Sequence, residues 1–463
     1  MNAFLKCLEW LEGRTGAIGG IKAFMREPIP ASVGWRNTLG SLAGALLAMQ
    51  VLTGFLLALY YVPHPEAAFE SLEWVNEHVT LGAFSRALHY WGTSFLIVAL
   101  FLHMLRVFFS GAYKKPRELN WIVGLLLFGL VFAIAFTGQI LPYNQMGFWA
   151  AKVGIEIVSS APLVGDALRR LLTGGDTVGA VTLTRFYALH MVLLPLLLGL
   201  LVATHIYLLR KDGITRPASD TSDDTVPFFP LQFTRDMVTI SLGLAALAAV
   251  ALIFKGPHSG PLDLTDTEYL PRPEWYFLAH FEILKWTEGQ AQKIFAAFIL
   301  PNLLLLALAG LPWLDRARTT ELRERRFIVS IGTLVAAVIV GLTSFGLLTA
   351  PEQAGPELHI AVEEDAEAAE EAADPARAQI ALGRRVYREL KCHTCHRVNG
   401  RGEIKGPDLS GVGLRLQEEY LRNWLANPQA FIPDVEMPPV KTTEENFEGL
   451  IAYLLFLNEQ PDL

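Results

Sequence analysis

RALHYWGTSFLIVALFLHMLRVF, Arg86 to Phe108, is an apolar run long enough to cross a bilayer as a helix, and it carries two histidines. His89 and His103 stand fourteen residues apart, and a second run through LTRFYALHMVLLPLL sets His190 and His205 fifteen apart. At about 100° per residue, these intervals fall roughly 40° short of four turns and 60° beyond them, so each pair shares a helix face about 21 Å long. A lone histidine on an apolar helix is ordinarily a hydrogen-bonded structural residue, but polar groups are costly in hydrocarbon and tend to mark function there. Two such helices can hold two stacked haems, one between His89 and His190 at the outer ends and one between His103 and His205 at the inner ends.

Large macrocycles need room between helices. Gly40 and Gly54 lie fourteen residues apart on one apolar run, and Gly124 and Gly138 lie fourteen apart on another, repeating the histidine interval. One such pair would be ordinary helix packing; two at the same interval match the haem spacing. Arg86, one turn before His89, is a candidate partner for a haem propionate, the alternative being an interfacial anchor.

Composition sets the frame around this core. With 52% hydrophobic residues and a mean hydropathy of +0.34, the chain is too apolar for a soluble multi-domain enzyme. Seven runs can span a bilayer, near 39–61, 84–109, 120–141, 186–209, 236–254, 295–314 and 327–349. The expected fold is all-α: a polytopic membrane bundle with a four-helix dihaem core, followed by a small helical domain. Its segments are an amphipathic stretch at 1–35, the core at 36–215, three further spans at 216–349, an acidic linker at 350–377 and a compact tail at 378–463.

The first 35 residues show no apolar core followed by a small-residue cleavage site, so no removable signal is expected. Lys and Arg are missing between the first two runs but cluster at Lys114, Lys115 and Arg117, at Arg210 and Lys211, and from Arg316 to Arg326. Basic loops mark the cytoplasmic side, so the N-terminus is expected inside and, after seven crossings, the tail outside. No basic stripe interleaved with aromatics points to nucleic acid.

The tail carries RELKCHTCHRVNGRG, Arg388 to Gly402. In Cys-x-x-Cys-His, two thiols add to haem vinyl groups and the adjacent imidazole is aimed at the iron, here Cys392, Cys395 and His396. Zinc would want further Cys or His ligands, and none follows His396. A thioredoxin-like pair would want a strand ahead of it, where the helical-looking ALGRRVYREL stands instead. Met437 is the only methionine after Met237, and it is the candidate sixth ligand. The Pro438-Pro439 that follows suits a rigid loop over the haem edge. With GPDLSGVG and a closing helix, the tail resembles a class I cytochrome c.

Taken together, RALHYWGTSFLIVALFLHMLRVF, GAYKKPRELNWIVG, TGQILPYNQMGFWAAKV, LTRFYALHMVLLPLL and PRPEWYF resemble the cytochrome b of cytochrome bc complexes over nearly the whole membrane part. The fifteen-residue spacing and the KKPRELNW and RKDGI stretches are similar to chloroplast-type and bacterial menaquinol forms. The continuous chain through PEWY is similar to unsplit bacterial forms.

The resemblance implies an outer quinol-oxidation site at Pro273, Glu274, Trp275 and Tyr276, with Glu274 as proton acceptor and Tyr143 and Gly147 on the opposite wall. It also implies an inner quinone site near Asp236, Arg235 and Lys211, residues that could equally be interfacial anchors and a helix N-terminal carboxylate. The implied cofactors are two non-covalent b haems, one covalent c haem and a quinone, with menaquinone expected. Thr38 stands where chloroplast-type relatives have a haem-binding cysteine, so no second covalent haem is expected; Cys7 lies well upstream.

The implied activity is that of a fused b/c subunit of a quinol:cytochrome c oxidoreductase in a bacterial inner membrane. It would oxidise quinol with divided electron paths and translocate protons. A Rieske iron–sulfur protein, a soluble or membrane cytochrome acceptor and a second copy of the complex would be its partners. The alternative is a dihaem electron conduit serving a dehydrogenase, with the cytochrome c as outlet.

Overall fold

Seven helices among the described residues are long and apolar enough to cross a membrane: Trp35–Ala58, Gly82–Phe109, Glu118–Gln139, Ala180–Asp212, Leu231–Phe254, Ala291–Ala309 and Arg326–Leu348. They are called the first to seventh spans below. The computed structural model describes residues 2–175, 177–217, 220, 222–256, 260–262, 272–287, 289–349, 375–398, 406–407, 409–431, 435 and 437–457. Almost all of the expected 350–377 linker, and Asp408 of GPDLSGVG, therefore lie outside the described residues. The chain divides into two compact units, Met1–Pro351 and Glu352–Leu463.

In the membrane unit the first span packs along the second, the third along the fourth, and the fifth against the first two. Ala43, Leu46, Leu96, Ile97, Leu130, Leu198 and Leu247, drawn from five spans, form one buried cluster at the centre. Elsewhere the apolar faces are left exposed, as Leu52, Phe55, Leu196, Leu200 and Leu242 show. Lipid is the solvent such faces require, and a helix suits it because every interior backbone group is bonded within the helix. The result is a multi-pass membrane protein.

The fourth span starts earlier than its apolar run suggests. Its first turns, Ala180–Ala188, lead into a π-helical stretch, Leu189–Leu193, that contains His190, and Pro195 opens the next helical segment. Proline removes a backbone donor and forces such an adjustment. Four short helices between spans are missing from the sequence reading: Ala68–His78, Gln145–Ser159, Gly165–Thr173 and Leu278–Lys285. The only regular sheet among the described residues pairs Pro28–Pro30 with Thr225–Pro227, antiparallel, Ile29 opposite Val226.

A buried ionic knot ties the loop after the second span to the loop before the seventh. Arg325, with no exposed side-chain surface, bonds Asp315 through Nε at 2.8 Å and the Phe108 and Phe109 carbonyls at 2.7 and 2.9 Å. The Tyr113 hydroxyl accepts from Arg325 at 2.7 Å and donates to Asp315 at 2.5 Å, and Lys114 reaches Asp315 at 3.0 Å. Burial pushes the Asp315 carboxyl up, but the bonds from Tyr113, Arg325 and Lys114 outweigh it and the net shift is downward.

The second unit is built on helices Pro375–Glu389 and Glu444–Phe456, whose backbones meet where Gly383 faces the Gly449 carbonyl; a Cβ at Gly383 would lie 1.9 Å from that oxygen. Thr443 caps the second of these helices by accepting from the Asn446 amide at 3.3 Å. Val386, Tyr387, Leu421, Leu425, Leu450 and Leu454 fill its core.

Candidate functional sites

The second and fourth spans bring His89 and His190 together, with ring centroids 6.2 Å apart. Two imidazoles bonded to one metal from opposite sides, at metal–nitrogen distances of about 2 Å, put their centroids about 6 Å apart. The Nδ1 atoms are already engaged: that of His190 meets the Ile134 carbonyl at 2.9 Å, and that of His89 meets Thr53 Oγ1 at 3.0 Å. A carbonyl only accepts, so His190 Nδ1 carries the proton and its Nε2 keeps the lone pair. Thr53 donates its own hydroxyl proton to the Met49 carbonyl at 2.9 Å, so it receives from His89 in the same way. Gln50 fixes the backbone there, donating to the His89 carbonyl at 2.9 Å and to Thr93 at 2.8 Å.

Each spaced glycine lies against one histidine. A Cβ would meet the imidazole Cε1 at 3.0 Å from Gly54 (His89), 2.6 Å from Gly138 (His190), 3.2 Å from Gly40 (His103) and 3.2 Å from Gly124 (His205). His103 and His205 are within electrostatic range of each other, and the Asn120 backbone lies beside the His205 ring. Among the described residues no three His, Cys, Asp or Glu side chains converge. Two imidazoles at each level, with glycines giving space beside them, fit a planar macrocycle that supplies the remaining ligands. Arg86 is committed to a partner the sequence did not reveal, Glu73 of helix Ala68–His78, at 3.2 Å.

The PEWY segment folds onto the second and third spans. Glu274 accepts from the Tyr90 hydroxyl at 3.0 and 3.3 Å, Trp275 donates to Ser94 Oγ at 2.9 Å, and Tyr276 meets Phe132 edge to face. Burial raises the Glu274 carboxyl above its ordinary range against the opposing Tyr90 bond, and burial pushes the Tyr276 hydroxyl up as well.

Pro273 lines a cavity of about 200 Å³, together with Phe136, Gln139, Gly154, Arg272 and His280 among others. Tyr143 and Gly147 do not line it. Tyr143 is buried in a cluster with Ile140, Phe148 and Ile155, and the Gly147 amide donates to the Asn144 side chain at 2.9 Å to start helix Gln145–Ser159. Gly147 has no room for a side chain, since a Cβ would lie 2.4 Å from the Gln139 carbonyl. Both residues shape the turn beside the cavity.

Gln139 and His280 escaped the sequence reading. The signals were present: Gln139 directly follows Gly138, and His280 comes one turn after Tyr276.

Toward the other end of the bundle, Asp236 is buried and accepts from Gln232 at 2.9 Å. Arg235 donates to the Val33 carbonyl at 2.8 Å, and Thr239 donates to Thr38 at 3.0 Å. Asp236 and Arg235 thus sit where the fifth span meets the start of the first. Lys211 is exposed at the end of the fourth, where its neighbour Arg210 pairs with Glu27 at 2.6 Å.

In the second unit, Cys392 to Thr394 form a 3₁₀ turn after helix Pro375–Glu389, and the His396 amide closes it on the Cys392 carbonyl at 2.9 Å. The Pro407 carbonyl accepts from His396 Nδ1 at 2.9 Å, leaving Nε2 the lone pair. A Cβ at Gly406 would lie 2.5 Å from the same ring. Cys392 and Met437 pack on the unit's core, and Met437 Sδ accepts from Trp424 Nε1 at 3.2 Å. Two thiols, an oriented imidazole and a thioether fit a covalently attached haem. Cys7 is exposed.

Fold and geometry together define a membrane cytochrome joined to a c-type domain. Family models agree: residues 24–213 match cytochrome b/b6/petB, 265–358 match cytochrome b(C-terminal)/b6/petD, and 380–458 match cytochrome c. Cytochrome b of Rickettsia prowazekii is 35% identical over 67% of this chain and 79% of that protein. Cytochrome b6 of Heliobacterium mobile is 43% identical over 45% of this chain and all of that protein. Cytochrome b/c1 of Bradyrhizobium diazoefficiens is 33% identical over 73% of this chain, which spans only 50% of that protein's length. A solved structure titled hyperthermophilic respiratory Complex III superposes with a TM-score of 0.67 at 28% identity, covering 75% of this chain and 92% of that one. The chain belongs to the cytochrome b/b6 family and carries a C-terminal cytochrome c domain, and both families imply haem.

Proposed function

We propose that this cytochrome b/c fusion is the catalytic core subunit of a quinol:cytochrome c oxidoreductase of the bc type. The observation that carries the reading is the position of Glu274: a half-buried carboxylate, next in sequence to Pro273 of the cavity wall and hydrogen-bonded to Tyr90, one residue from His89. His89 with His190, and His103 with His205, would hold two b haems; Cys392, Cys395, His396 and Met437 would hold one c haem. When bound, these groups accept and pass on single electrons.

The chain's own residues do the rest. Glu274, its pKa raised by burial, takes a proton from quinol. Tyr90 orients it, and the apolar walls of the cavity exclude water. Asp236 and Arg235 would serve a quinone at the other end. The second electron of each quinol needs an acceptor other than the membrane haems, and a Rieske iron–sulfur protein that would pass it to the c haem is the partner proposed. A cytochrome acceptor, a dimeric complex, menaquinone as substrate and proton release on the outer side of a bacterial inner membrane complete the reading. The Glu274 end and the c domain would face outward and the N-terminus inward.

The test is quinol-dependent cytochrome c reduction by the purified complex, blocked by an inhibitor of the Glu274 site, with two b haems to one c haem per chain. Three haems without quinol-dependent reduction would favour an electron conduit instead.

A further inference from the structure

The cavity beside Pro273 holds two polar side chains that the proposed mechanism does not use. Gln139 has both side-chain polar atoms buried without a partner, a costly arrangement unless something else completes it. His280, on helix Leu278–Lys285, turns Nε2 to the Ala296 carbonyl at 3.0 Å. That oxygen can only accept, so Nε2 carries the hydrogen and Nδ1 of the neutral ring keeps the lone pair. Burial favours the neutral ring by lowering its pKa.

The third polar residue of the lining, Arg272, is committed to the Gly346 carbonyl on the seventh span. Every other lining side chain is apolar or glycine. At about 200 Å³ the space falls below the roughly 300–1,000 Å³ of clefts that enclose a whole ligand. It suits a ring with an oxygen at each end and leaves a long tail outside.

We propose that His280 and Gln139 hold the quinol ring, His280 Nδ1 accepting a hydrogen bond from one hydroxyl and the Gln139 carboxamide bonding the other oxygen. This deepens the quinol-oxidation reading and rests on it. Glu274 is not part of the cavity lining, so ring binding by His280 and Gln139 is separable from proton acceptance by Glu274.

The test uses the whole complex with a short-chain naphthoquinol as substrate. His280→Phe should raise KM at least tenfold while kcat changes less than threefold. His280→Gln keeps a donor for Ala296 and an acceptor for the hydroxyl, so it should stay within threefold of the unaltered KM. Gln139→Leu should raise KM about fivefold. His280→Ala is measured beside His280→Phe so that bulk alone does not decide the result. Unchanged KM in the Ala and Phe variants, an equal rise of KM in His280→Gln and His280→Phe, or loss of the haem spectra in both the Ala and Phe variants would each overturn the proposal. The last result would make His280 a packing residue. Failure of the wider reading looks different: the unaltered complex would not oxidise the quinol at all.

Discussion

The Arg325 knot and the Glu274–Tyr90 bond beside the cavity sit near opposite ends of the second span, eighteen residues or about 27 Å apart at Phe108 and Tyr90. Both gather polar groups against apolar surroundings, yet they are finished differently. In the knot, Arg325 is bonded to a carboxylate, a hydroxyl and two carbonyls. In the cavity wall, both side-chain polar atoms of Gln139 have no partner. A satisfied cluster holds helices in place; buried polar atoms left without a partner are free to bond one from outside the chain.

That comparison can be broken in order of expected effect. The largest belongs to the histidine pair at the Tyr90 end of the second span: His190→Leu should abolish one b-haem signal in a redox-titrated spectrum and quinol oxidation with it. Persistence of both b signals would reassign the ligand. Next, Asp315→Ala strands the buried Arg325 and should cost about 3–5 kcal/mol, read as earlier thermal loss of the haem spectrum with KM for quinol unchanged in the protein that survives. An altered KM would give the knot a functional role.

Glu274→Gln should lower kcat about 100-fold with haem content intact. Its pH dependence has a definite sign. The ionised carboxylate is the base, and burial raises its pKa, so kcat climbs as pH rises through that raised value and falls away below it. The Gln variant should lose this limb; a profile that keeps it points to another base. The smallest effect is expected at Thr53→Val, which removes the acceptor for His89 Nδ1 and should weaken haem retention about tenfold. An equal loss from the conservative Thr53→Ser would mean that the methyl, not the hydroxyl, is what matters.

How much was legible beforehand depends on the range over which each feature is set. The four histidines, the four glycines and Cys-x-x-Cys-His are spacings along single helices or turns, and 3.6-residue periodicity converts them into faces without knowledge of neighbours. The helices Ala68–His78 and Gln145–Ser159 were not legible. They are short and sit beside long apolar runs whose signal overwhelms theirs, and they owe their stability to packing on the bundle. Glu73 as the partner of Arg86 was hidden for the same reason.

By itself, then, the sequence determined the number of spans, the register of the histidine and glycine pairs, and the chemistry of the c domain, because apolar length, helical pitch and a local motif are properties of one segment. Tertiary structure alone decided that Glu274 turns to Tyr90, that Tyr143 is packed away from the cavity, and that Gln139 and His280 line it. Those outcomes depend on which side chains from distant segments compete for the same buried hydrogen bonds, and that competition exists only once the helices have met.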